Sequence, residues 1–159
     1  MDIINYLKSI NKLNGGQALD VGSGQGFITN KLAEIGFSVD SIDKNNSDSE
    51  DIRIYDLKTN NYDLIIARNV LPFLSSREET FTVINKLFSG LKSGGVMYFT
   101  IFGPKDDWAN DPKMTFLEYD DVLSNLPGKV LKQGTEFLWG PTMAGEMKHW
   151  HIHHFVIEK

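Results

Sequence analysis

The densest chemistry in this sequence stands in one short run, "ALDVGSGQGF" (Ala18–Phe27), where glycines at 22, 24 and 26 follow Asp20 at the end of an apolar segment. Glycine reaches backbone angles closed to other residues and has no side chain. A turn built from it lets main-chain N–H groups and the start of the next helix approach a polar or anionic ligand. The spacing here is G-x-G-x-G. The dinucleotide fingerprint G-x-G-x-x-G requires a glycine where Phe27 stands, so a nicotinamide-dependent oxidoreductase is the weaker reading. A second group of reactive side chains lies near the C-terminus, with Glu146 followed by His149, His151, His153 and His154. Alternate histidines on a strand share one face. No cysteine or carboxylate cluster completes a metal site around them, so an edge strand with solvated histidines is expected, and no metal. No nucleophile–base–acid constellation is evident elsewhere.

Composition narrows the partners. Sixteen basic against twenty-one acidic residues give a net charge of −5, with no Lys/Arg run to neutralise successive phosphates; nucleic acid is not an expected partner. There are no cysteines, which excludes disulfides and thiolate metal sites. The opening "MDIINYLKSI" has neither the basic head and long apolar centre of a signal peptide nor the length to span a bilayer, so a soluble cytoplasmic protein without a membrane partner is expected. A chain of 159 residues fits one domain of the usual ~100–200 residues.

The elements that must hold the glycine turn follow from hydrophobic periodicity. Short apolar runs alternate with 3.6-residue patterns, as expected for a doubly wound α/β protein with a mostly parallel sheet. "QALDV" predicts a strand, and Ile28, Leu32 and Ile35 predict a helix stopped by Gly36. "SVDSID" predicts a second strand ending at Asp43, and "IRIYDL" a third, with "KNNSDSED" between them too short and turn-rich for a helix. "YDLIIA" and "VMYFTIF" flank a helix marked by Phe81, Ile84, Leu87, Phe88 and Leu91. Phe116, Tyr119, Leu123 and Leu126 predict a further helical face. "KVLKQGTEFLWG" and "HWHIHHFVIEK" close the chain as an antiparallel pair, making seven strands with an antiparallel last one.

Four blocks in order, "LDVGSGQG", "DSID", "YDLIIARNVLPFL" and "LKSGGVMYFT", resemble the class I S-adenosylmethionine-dependent methyltransferases, over roughly Ala18 to the C-terminus. Within that family the layout is most similar to the small tellurite-resistance and thiopurine-type methyltransferases. The resemblance implies a Rossmann-like S-adenosylmethionine-binding domain over residues 1–159, methyl transfer to a small-molecule acceptor and S-adenosylhomocysteine as product. It implies that Asp20 meets the methionine amino group, that Gly22, Gly24 and Gly26 pass beside the methionine and ribose, and that Asp43 takes the ribose. Asp56 with Leu57 falls at the family's adenine contact. Arg68 and Asn69 fall where contacts to the methionine end arise, although Arg68 serves equally well as the partner of a carboxylate at the core edge. A binding module of the same fold without catalysis is the alternative.

Methyl transfer from a sulfonium is an in-line displacement needing alignment and water exclusion rather than a protein nucleophile. Aromatic faces assist a sulfonium by cation–π attraction, and Phe27, Phe73, Trp108 and Trp139 are available. If the sixth strand runs parallel to the first five, the connection from Trp139 to Trp150 faces the cofactor. Acceptor specificity is therefore expected there and in "DDWANDP", which is expected to form the opposite rim. His149 and Glu146 are the candidates for a base.

Overall fold

A computed structural model describes residues 1–159. Six strands form one sheet: β1 (Gly16–Val21), β2 (Phe37–Ile42), β3 (Tyr62–Ala67), β4 (Leu91–Phe102), β5 (Lys129–Pro141) and β6 (Met147–Glu158). Their order is β2-β1-β3-β4-β6-β5. The first four are mutually parallel, β6 is antiparallel to β4, and β5 is antiparallel to β6. Helices α1 (Ile3–Ser9) and α2 (Phe27–Ile35) cover one face; α3 (Arg77–Gly90) and α4 (Tyr119–Ser124) cover the other.

Strand alternation feeds both cores. Ala18, Leu64, Ile66 and Tyr98 pack under α1 and α2 with Leu7 and Leu32, while Leu19, Ile65, Met97 and Phe99 meet Val83, Ile84 and Leu87 of α3. The inner strands β1, β3 and β4 are thus buried on both faces, which is why β3 and the second half of β4 read as unbroken apolar runs. Gly36, at φ +111°, ends α2 as its spacing predicts. Ser76 starts α3 by accepting from the Glu79 N–H.

The sheet has six strands rather than seven, because "IRIYDL" is not a strand. A parallel strand needs a crossover of a dozen or more residues to return the chain to the starting edge. Only the eight of "KNNSDSED" are available. The segment turns at once: the Ile54 and Tyr55 N–H groups both donate to the Asp51 carbonyl, Ile52 tucks into the core and Ile54 stays exposed. A short 3-10 turn, Asp48–Glu50, is all that remains of the crossover, and β2 is left as the sheet edge. The fourth helix is also shorter than its pattern suggests, because Phe116 instead bridges to Phe102.

The histidine tail is the second correction. β6 lies inside the sheet, between β4 and β5, and His151, His153 and His154 are buried; of the four only His149 is exposed. The edge strand is β5. Burial pushes the His153 imidazole down to about 4, with its His151 neighbour adding to the effect. No three His, Asp or Glu side chains are grouped to hold a metal ion. No helix is long and apolar enough to cross a membrane.

Candidate functional site

The end of β1 passes against the end of β3, and the glycines make that passage possible. Gly22 sits at φ +71°, with its N–H donating to the Ile42 carbonyl at 2.8 Å; a Cβ there would lie 2.1 Å from Val70 Cγ2. Gly24, at φ +52°, differs, since nothing lies within 4 Å of where its Cβ would be. Bare backbone faces open space at that point. Gly26, at φ +82°, starts α2 without a side-chain cap, leaving the helix's first N–H groups free of a side-chain acceptor.

Carboxylates surround this turn. Asp43, at the end of β2, accepts from the Gly24 N–H through Oδ2 and from the Asn45 N–H through Oδ1, both at 2.9 Å. Each oxygen keeps lone-pair capacity for a further donor. Glu50 is drawn in by the Asp43 N–H, which donates to its Oε2 at 3.0 Å. Beside it, the Arg53 guanidinium hydrogen-bonds Asp51 and holds that carboxyl below the usual range against the opposing effect of burial. Asp20, 3% exposed, accepts from Thr29 Oγ1 at 2.7 Å. Burial pushes its carboxyl upward, only partly offset by the Thr29 hydroxyl, and the nearby Asp43 charge adds to the rise. A buried carboxylate in that condition favours an arriving cation, such as a ligand ammonium group.

Asp43, Glu50, Asp51 and Arg53 border a cavity of about 330 Å³ above the carboxyl ends of β1–β3. Its lining includes Gly22, Gly24, Asp43, Glu50 and Ile52 together with Asn69, Phe73 and Met143. Asn69 holds a left-handed backbone at φ +55°, fixed by Thr100, whose Oγ1 accepts from the Asn69 N–H at 2.8 Å and donates to its Oδ1 at 3.1 Å. A larger and more open groove, about 630 Å³, runs between α1 and β5 and shares no residue with this cavity.

The chain fold, a mostly parallel sheet closed by an antiparallel pair, is shared with solved methyltransferases. A SAM-dependent methyltransferase from Methanosarcina mazei superposes with a TM-score of 0.72 at 20% identity, over 100% of this chain and 97% of that one. TehB from Haemophilus influenzae gives 0.76 at 19%, over 99% of this chain and 61% of that one. Phosphoethanolamine N-methyltransferase 2 from Haemonchus contortus, solved with S-adenosyl-L-methionine, gives 0.62 at 13%, over 98% and 53%. This chain has the class I methyltransferase fold. No protein-family model and no curated relative matches its sequence. The chain spans nearly the whole of the first of these proteins and about half to three-fifths of the other two.

On that fold the candidate residues separate. Gly22, Gly24 and Asp43 line the cavity; Asp20 and Gly26 support it from the end of β1 and the start of α2. Asp56 is exposed and outside it, and Leu57 packs against Gly90 instead. The acidic–apolar pair at the cavity is Asp51–Ile52, five residues earlier. The missing crossover explains that offset, since the chain reaches the site immediately after the turn. Arg68 points to the α1 face, where its charge bears on Tyr98 and His154, while its neighbour Asn69 enters the cavity.

The hairpin between β5 and β6 does stand on the cavity side, and Met143 at its tip lines the cavity; His149 and Glu146 do not. The His149 ring lies against Trp139 at 4.5 Å, with Nδ1 3.3 Å from an Asp107 carboxylate oxygen. The loop after β4 does not form an opposite rim. It is fastened to the hairpin by the Asp107–His149 contact and by a buried ion pair between Asp106 and Lys148, whose ammonium lies under Trp108 and Trp150 at 4.1 and 3.7 Å from the ring centres. Loop and hairpin make one wall. The Lys148–Asp106 pair has no sequence signature, because its partners stand 42 positions apart.

Proposed function

We propose that this chain binds S-adenosylmethionine in the glycine-turn cavity and catalyses methyl transfer to a small-molecule acceptor. The reading is carried by Asp20, Asp43 and Glu50 converging on a glycine turn with open space beside Gly24. The cavity volume falls in the ~300–1,000 Å³ range of small-ligand pockets. Bound there, S-adenosylmethionine supplies a methyl group on a positively charged sulfur.

The chain's own tasks follow from its side chains. Asp20 holds an ammonium group, and the Asp43 and Glu50 carboxylates accept from a vicinal diol. Asp51 and Ile52 offer a polar edge and an apolar face to a purine, while Asn69 orients the opposite end. Phe73 and Met143 exclude water on the acceptor side, and the wall of loop and hairpin behind Phe73 selects the acceptor. Where the acceptor must lose a proton, His149 held by Asp107 is the imidazole–carboxylate pair that the hairpin offers, with Glu146 as the second candidate.

Calorimetry tests the binding half. S-adenosylmethionine and S-adenosylhomocysteine bind far better than NAD, and Asp43→Ala costs about 1.5–3 kcal/mol of affinity, the loss of a charge-assisted contact. Preference for NAD, or unchanged affinity in Asp43→Ala, refutes the assignment. A transfer screen against small thiols, amines, carboxylates and metalloid oxyanions tests the second half; binding without transfer to any of them assigns the chain to ligand binding alone.

A further inference from the structure

β5 is a long edge strand with few of the devices that normally blunt an edge. It runs for thirteen residues with its outer side unpaired, and its only proline is the last residue, Pro141. A bulge at Leu131 interrupts its pairing with β6 near the start, and from Lys132 to Pro141 the register is continuous. Along that stretch Phe137, Leu138 and Trp139 are 62%, 38% and 57% exposed. An edge of this kind is a template for another strand.

We infer that β5 pairs antiparallel with β5 of a second copy of this chain, joining the two sheets across a two-fold axis at Gly134. Register follows from hydrogen bonding. In an antiparallel pair alternate residues turn their N–H and C=O groups outward, so an outward-facing residue must meet another. Under two-fold symmetry the centre then falls on a residue and not between two.

Charge selects which residue. The regular stretch 132–140 holds two charged residues, Lys132 and Glu136, on the same face of the strand. Centring on Gly134 sets Lys132 opposite Glu136 of the partner subunit, and the symmetry repeats the pair. Centring on Thr135 sets Lys132 opposite an apolar Leu138, and centring on Glu136 places two carboxylates face to face. Gln133 and Thr135 then meet as a hydrogen-bonding pair on the other face. Space agrees, because nothing lies within 4 Å of a Cβ at Gly134. Lys132 makes no ion pair among its own chain's groups, its ammonium lying 4.6 Å from the centre of the Tyr6 ring; Glu136 meets the Met1 ammonium and His154 Nε2 through Oε2 alone, which leaves Oε1 for the partner subunit. This surface lies on the far edge from the glycine turn and does not depend on the ligand bound there.

Sedimentation equilibrium of the full chain decides the matter. The wild type sediments at twice the 18.0 kDa chain mass. Lys132→Glu, an exposed substitution that leaves the circular dichroism spectrum unchanged, weakens association at least tenfold, and Glu136→Lys does the same. An equimolar mixture of the two variants restores the dimer, because each strand then meets the opposite charge at both positions. A monomeric wild type up to sub-millimolar concentration overturns the inference. So does a dimer that Lys132→Glu leaves unweakened, or a variant mixture that stays monomeric.

Discussion

The ion pair between Lys148 and Asp106 offers the sharpest test of how the wall beside the cavity is held. The Lys148 side chain is 5% exposed and that of Asp106 0%. Asp106 also accepts from the Trp108 N–H at 3.0 Å and the His151 N–H at 3.1 Å, and the ammonium is enclosed by Phe102, Trp108 and Trp150. Lys148→Ala leaves a carboxylate buried with two amide donors and no cation, a defect that costs about 3–5 kcal/mol. At roughly 2–4 °C per kcal/mol for a domain of this size, the melting temperature falls by roughly 6–20 °C. Removing both charges together, in Lys148→Met/Asp106→Asn, leaves no uncompensated ion, and stability returns to within about 2 kcal/mol of wild type. Urea unfolding of the wild type, Lys148→Met, Asp106→Asn and Lys148→Met/Asp106→Asn at neutral pH gives the coupling energy directly, with an unchanged denaturant slope confirming that the folded states are comparable. A buried pair is also poorly screened, so the coupling persists in molar salt. A cost below about 1 kcal/mol for Lys148→Ala, the value of an exposed pair, refutes the reasoning, as does a double variant no more stable than Lys148→Ala.

The two glycines at the turn separate folding from binding. Gly22→Ala lowers stability by about 1–3 kcal/mol in thermal unfolding, because its Cβ meets Val70 at a positive φ, whereas Gly24→Val keeps a cooperative transition but abolishes S-adenosylmethionine binding by calorimetry. Asp20 makes that affinity pH-dependent: burial raises its carboxyl above 3.8, the ionised form holds the ligand ammonium, and so affinity falls on acidification from above the ordinary carboxylate range. Asp20→Asn removes this pH dependence along with most of the affinity. His153 sets acid sensitivity in the fold itself. Its imidazole titrates near 4 against 6.5 unfolded, so the unfolded chain binds the extra proton first. Stability falls by about 3 kcal/mol as pH drops from 6.5 to 4, and His153→Leu makes that segment of the pH–stability curve shallower, the remaining slope coming from buried His151 and His154.

What the sequence by itself determined was local. Three glycines within five positions point to backbone that glycine adopts at least cost, and Gly22, Gly24 and Gly26 all stand at positive φ. Apolar periodicity located the strands and helices around them, because the pattern that buries a face is written in consecutive residues. The antiparallel pair at the C-terminus, and with it the side of the sheet where the hairpin stands, followed from the same local signals and a rule of strand direction. Tertiary structure decided whatever depended on which elements meet. "IRIYDL" has strand composition, but eight preceding residues cannot carry a parallel crossover, so its apolar side chains dock individually and Asp51–Ile52 reaches the cavity instead of Asp56–Leu57. The spacing of His151, His153 and His154 predicts a solvated edge strand, but β5 covers that strand, and burial rather than spacing sets their chemistry. Glu50 enters the site through one hydrogen bond to the Asp43 backbone, and Lys148 finds Asp106 across 42 residues. Contacts of that kind leave no period in the chain, because only the packed fold brings their partners together and excludes the water that would weaken the pairing.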